Sequence, residues 1–117
     1  MLMVSRITPR QVSARMAKGE RVAFVDARAE AARKSAGLRL AGAVPVQLAT
    51  IVRDAARVAS QCLVVVYGGA DGDHDVPRVA EGLRVLGFRN VRVLAGGFAA
   101  WLELRYPVQD ADGAAVA

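Results

Sequence analysis

A single cysteine cannot close an internal disulfide, and Cys62 instead fits a reducing, cytoplasmic setting. A single histidine, His74, leaves no serine–histidine–acid arrangement assembled around it. Lysine is nearly as scarce, and no glycine-rich, lysine-bearing phosphate loop is present. No apolar run approaches the roughly 18 residues of a membrane helix. The opening Met1–Arg6 lacks the long apolar core of a secretion signal, so no membrane association is expected. Aromatic residues number six, and 14 of the 16 basic residues are arginines scattered without a run. Nucleic-acid surfaces cluster their cations and interleave them with aromatics. The net charge of +5 therefore reads as a compositional habit, and no nucleic-acid partner is expected.

What is present is a core. With 117 residues, 54% hydrophobic and 23% charged, the chain is long and apolar enough for one self-sufficient domain. Thr8 can cap a helix, with Pro9 in its first position and Gln11 completing a capping box; Gly19 ends it. Val22 to Val25 form a continuous apolar run that predicts a strand buried on both faces, from Arg21 to Asp26. Glu30 to Ser35 reads as helix, and 38–43 as loop leading to a short extended piece, Val44-Pro45-Val46, limited by its proline. Apolar residues at 48, 51, 52, 55 and 58 predict a helix over 48–58. Leu63 to Tyr67 is the most hydrophobic run. Asp75 can cap the next helix, with Val79, Ala80, Leu83 and Leu86 on its inner face and Gly87 at its end. Asn90 to Leu94 is a strand, and Gly96-Gly97 turns into a short helix whose Phe98 and Trp101 belong to the core. Strands alternating with helices predict an α/β domain: a parallel sheet with helices on both faces. The domain is expected over residues 5–108, and 109–117 as a disordered tail.

In such folds ligands sit beyond the carboxyl ends of the central strands. Here that place falls to the loop Gly68-Gly69-Ala70-Asp71-Gly72-Asp73-His74-Asp75, which contains no cysteine, serine or lysine. Asp71, Asp73 and Asp75 oppose the entry of anions. Alternate aspartates begin a calcium loop, but the sixth and twelfth positions of that pattern are Val76 and Gly82, where glycine and glutamate are needed. A transition-metal site on His74 needs ligands from elsewhere. No metal and no cofactor are expected.

The segment Leu86-Gly87-Phe88-Arg89-Asn90-Val91-Arg92-Val93-Leu94-Ala95-Gly96-Gly97-Phe98-Ala99-Ala100-Trp101 resembles the closing block of the rhodanese family: a glycine, a strand, Leu-x-Gly-Gly, then a tryptophan four residues on. Asp26-Ala27-Arg28 is similar to that family's Asp-x-Arg, and Arg39-Leu40-Ala41-Gly42-Ala43 to its His-Ile-Pro-Gly-Ala, with Arg39 for the histidine. Tyr106-Pro107 matches its domain end, so the resemblance runs over about residues 5 to 108.

The resemblance implies a rhodanese-like domain with a central parallel sheet of about five strands. In active members, the strand corresponding to Leu63–Tyr67 is followed at once by a cysteine that carries sulfur as a persulfide, inside a cradle of backbone N–H groups. Gly68 occupies that position here, and the loop is two residues longer than the sulfurtransferase loop. Cys62 lies at the opposite end of the same strand. Asp26 and Arg28 are expected as a structural pair supporting the loop, Arg39 as a solvated side chain with the alternative of an anion contact near the loop's mouth, and Arg78 as a side chain able to fold over it. The expectation is a catalytically inactive, rhodanese-like binding or regulatory module with a protein partner. The alternative is a sulfurtransferase or related anion-transfer enzyme using a non-standard loop group such as His74.

Overall fold

Thr8 organises the first helix as its sequence predicts. Its hydroxyl accepts the Gln11 N–H at 3.1 Å while the Gln11 carboxamide accepts the Thr8 N–H at 2.9 Å, opening helix α1 (Pro9–Ala17). The computed structural model describes residues 4–71 and 73–110. In chain order they form β1 (Arg6–Ile7), α1, β2 (Val22–Asp26), α2 (Glu30–Ala36), β3 (Leu38–Leu40) and β4 (Val44–Pro45). A 3-10 turn, Leu48–Thr50, then leads into α3 (Ile51–Ala55). The rest is β5 (Leu63–Tyr67), α4 (Asp75–Val85), β6 (Val91–Leu94), α5 (Gly97–Glu103) and β7 (Val108–Asp110).

Five strands make one parallel sheet in the order β1-β6-β5-β2-β4. Every residue of β5 is buried, as befits the middle strand of a sheet covered twice. Alternation along β5 divides the core. Val64 and Val66 pack with Ala55, Val58, Val79 and Leu83 on one face. Val65 and Tyr67 pack with Val12, Phe98 and Trp101 on the other. The α/β architecture with helices on both faces is therefore as the sequence predicts. No helix among the described residues is long and apolar enough to cross a membrane.

Four local readings change. The helix expected over 48–58 is the 3-10 turn plus a five-residue α3. At its start Asp54 accepts the Thr50 hydroxyl at 2.6 Å and the Gln47 N–H at 3.0 Å, and past Ala55 the chain leaves the helix through i→i−3 bonds, Arg57 N–H to the Asp54 carbonyl and Val58 N–H to that of Ala55. Ala55 and Val58 reach the core but Val52 is 72% exposed, so the apolar spacing does not mark one buried face. Residues 38–40, read as loop, are β3, paired antiparallel with β7 in a second small sheet. Asp75 does not cap α4 but is its first residue: the N-cap position is His74, whose side chain makes no cap bond, and Asp73 Oδ1 just before it accepts the Asp75 N–H at 3.2 Å. Finally, β7 carries ordered pairing to Asp110, past the boundary at 108; the rest of the expected tail, 111–117, lies outside the described residues.

Candidate functional site at the end of the central strand

The parallel register places Asp26 of β2 beside Tyr67 of β5, so both strands release their chains at the same edge of the sheet. Beyond that edge the loop from Gly68 meets the start of α5. The first free N–H groups of α5 are taken by the loop: Phe98 donates to the Gly68 carbonyl at 2.8 Å and Ala99 to the Gly69 carbonyl at 2.9 Å. This approach requires Gly97. Its φ is +61°, and a Cβ there would lie 2.7 Å from the Gly68 oxygen and 3.0 Å from the Ala70 nitrogen.

The aspartates of the loop bond inward to the protein. Asp71 accepts the Gly96 N–H at 2.8 Å and pairs with Arg6, tying the loop to both α5 and β1. The Gly96 N–H and then Arg6 hold its carboxyl below its ordinary pKa. Asp73 covers Gly68. A Cβ built on Gly68 would meet Asp73 Oδ2 at 2.9 Å and Val76 Cγ2 at 2.6 Å. The same Asp73 serves the start of α4, its carboxylate taking the Asp75 N–H and its carbonyl the Val76 N–H. A carboxylate at a helix N-terminus answers the dipole that elsewhere attracts a free anion. His74 and Asp75 are exposed, and Gly72 lies outside the described residues. A pocket of about 490 Å³ opens here, with Arg6, Asp71, Asp73, His74 and Arg78 on its walls. Among the described residues no three metal-ligating side chains come together.

Beneath the loop sits a buried polar brace. Arg28 grips Asp26 through Nε–Oδ1 at 3.0 Å and Nη2–Oδ2 at 2.7 Å, and donates to the Leu38 carbonyl at 2.7 Å. The Tyr67 hydroxyl donates to Asp26 Oδ2 at 3.1 Å and accepts the Leu40 N–H at 3.2 Å. The guanidinium lies over Phe98 at 4.4 Å and near Tyr67 at 5.5 Å. Burial opposes the Arg28 charge, but the hydrogen bonds and charge of Asp26, with Tyr67, outweigh it and raise its pKa. Burial and then the Asp26 charge push the Tyr67 hydroxyl well above its ordinary value, so it stays a neutral donor.

Arg39 is a correction. It lies on β3, paired opposite Gln109, and lines a different, smaller pocket, sharing no wall with the loop pocket. Cys62 stands half-buried ahead of β5, its thiol directed at the Ala59 carbonyl at 3.7 Å. Sequence reasoning did not single out Tyr67, Arg6 or Gly97 for the site. One signal for Tyr67 was available: it is the only polar side chain in an otherwise aliphatic strand.

The sequence profile of the rhodanese-like domain matches residues 8–104. The chain belongs to the rhodanese-like domain family. Solved structures that share its fold include the following. The Alr3790 protein from Anabaena sp. is 25% identical with a TM-score of 0.71, over 89% of this chain and 80% of that one. The BH2092 protein from Bacillus halodurans is 21% identical with a TM-score of 0.75, over 95% and 79%. A rhodanese-related protein from Thermoplasma volcanium is 16% identical with a TM-score of 0.69, over 89% and 96%. No curated protein matches the chain.

Proposed function

We propose that this rhodanese-like domain is a non-catalytic binding or regulatory module that works through contact with a protein partner. The observation that carries this reading is the space above Gly68. Where a nucleophile would stand on the end of β5, the Asp73 carboxylate and Val76 already lie within 3 Å of a Cβ position. A thiolate there would also face the carboxylate's charge, which opposes both its formation and the approach of an anionic sulfur donor. Two loop carbonyls take the Phe98 and Ala99 N–H groups of α5 and Asp73 takes those of Asp75 and Val76 at the start of α4, so these four donors are answered from within. The exposed Arg78, His74 and Asp75 beside the pocket are the side chains offered for contact.

Thiosulfate and cyanide provide the test. The protein is expected to form no thiocyanate above a protein-free control. Gly68→Cys is expected to add none and to lower stability by about 1–3 kcal/mol, the usual effect of overpacking. Thiocyanate from the wild type that disappears in His74→Ala would establish the enzymatic alternative. Activity gained by Gly68→Cys alone would show that the cradle is intact and sink the reading.

A further inference from the structure

The smaller pocket, about 120 Å³, lies between α2 and the β3–β4 edge and is walled by Arg33, Lys34, Arg39, Asp26 and Pro45. It shares no residue with the loop pocket, and nothing in the reading above uses it. Its distinguishing feature is a pair of orphaned donors. Arg33 Nη1 and Arg39 Nε are both shut off from solvent and have no hydrogen-bond partner among the described residues. Guanidinium N–H groups left buried without an acceptor are rare, because desolvation is then uncompensated. In a polar pocket the missing acceptor is a water or an ion.

Charge decides between those two. Among the described residues three cations line the pocket against one carboxylate, Asp26. That carboxylate is already matched by Arg28 at 2.7 Å and by the Tyr67 hydroxyl at 3.1 Å. Lys34 is matched in part by exposed Glu30 at 2.9 Å, whereas Arg39 has only a long bond, 3.4 Å, from Nη1 to the Ala43 carbonyl. Water would satisfy a donor but leave the excess positive charge. An oxyanion satisfies both, and arginine forks match its oxygens in pairs. Size narrows the ligand further. The cavity is well below the ~300–1,000 Å³ of sites for drug-sized molecules. We infer that the pocket bounded by Arg33, Lys34 and Arg39 is a binding site for a small tetrahedral oxyanion of the inorganic phosphate or sulfate class. The site stands whether or not the loop at Gly68 is catalytic.

The test is calorimetric titration of the full chain with inorganic phosphate, and separately with sulfate, against chloride at equal ionic strength. Saturable binding of both ions is expected. Arg33→Gln and Arg39→Gln are each expected to weaken it roughly tenfold or more, the effect of removing one charge-assisted donor. Arg78→Gln, on the other pocket, is expected to leave it unchanged. A readout on the wild type alone guards against misfolded variants: phosphate is expected to slow phenylglyoxal modification of Arg33 and Arg39 but not of exposed Arg53. No heat beyond that of chloride would overturn the assignment. So would binding that survives both arginine substitutions, binding lost with Arg78→Gln, or phosphate that leaves Arg33 and Arg39 unprotected.

Discussion

Arg28→Met removes the guanidinium from the centre of the brace while keeping most of the side-chain stem. Arg28 is 3% exposed and Asp26 1%, so the carboxylate left behind cannot recover its lost partner from water. It would keep only the Tyr67 hydroxyl and the Arg28 backbone N–H, at 3.1 and 3.0 Å. It would lose all three guanidinium contacts, at 2.7, 3.0 and 3.2 Å, and the Leu38 carbonyl would lose a donor at 2.7 Å. Breaking a buried pair in this one-sided way costs about 3–5 kcal/mol. Total stabilities lie at about 5–15 kcal/mol, so the loss is a large fraction of what holds the domain folded. At roughly 3–6 °C per kcal/mol for a domain of this size, the melting temperature should fall by roughly 10–30 °C. Urea unfolding followed by far-ultraviolet circular dichroism measures the effect directly. Asp26→Asn combined with Arg28→Met leaves no buried charge, so the double variant should be less destabilised than the sum of the singles by more than about 1 kcal/mol. A loss below about 1 kcal/mol for Arg28→Met, or simple additivity in the double variant, would refute the claim that the pair is one buried unit.

Two further outcomes follow from the geometry. Burial pushes the Asp54 carboxyl up, but bonds from the Thr50 hydroxyl, the Gln47 N–H and Arg53 outweigh it and lower its pKa from 3.8 to about 2. A depressed folded-state value means stabilisation that is complete above the unfolded value and lost as pH falls through the folded one. Wild-type stability should therefore drop between about pH 4 and 2, and Asp54→Asn should flatten that drop in a pH series of urea melts. Gly97→Ala forces a side chain into a left-handed residue against the Gly68 carbonyl. Left-handed backbone alone costs about 1–2 kcal/mol, so a loss of at least that size is expected. Hydrogen exchange should show the Phe98 and Ala99 amides losing their protection; unchanged protection would show that the loop does not rest on α5.

Most of the scaffold was legible because its signals are local. The Thr8–Gln11 box, the aliphatic run Leu63–Tyr67 and the turn glycines around α5 each declare themselves within a few neighbours. β1, β3 and β7 were not legible, since strands of two or three residues show no periodicity and exist only through their distant partners. The 48–58 helix failed for a different reason: its spacing was apolar, but it opens as a 3-10 turn and leaves helical bonding after Ala55 through i→i−3 bonds.

The sequence by itself determined the α/β class, the position of the loop and the glycine that directly follows the central strand, because composition and chain order carry those facts. Only the tertiary structure decided what fills the space. Asp73 is five residues from Gly68 in the chain, and its charge reads there merely as a solvated cap. Folding brings it over the glycine, brings Asp71 to Arg6 across 65 positions, and sends Arg39 to a separate pocket that shares no residue with the loop pocket. Such contacts depend on which residues the sheet order makes neighbours, and no window of sequence holds both partners at once.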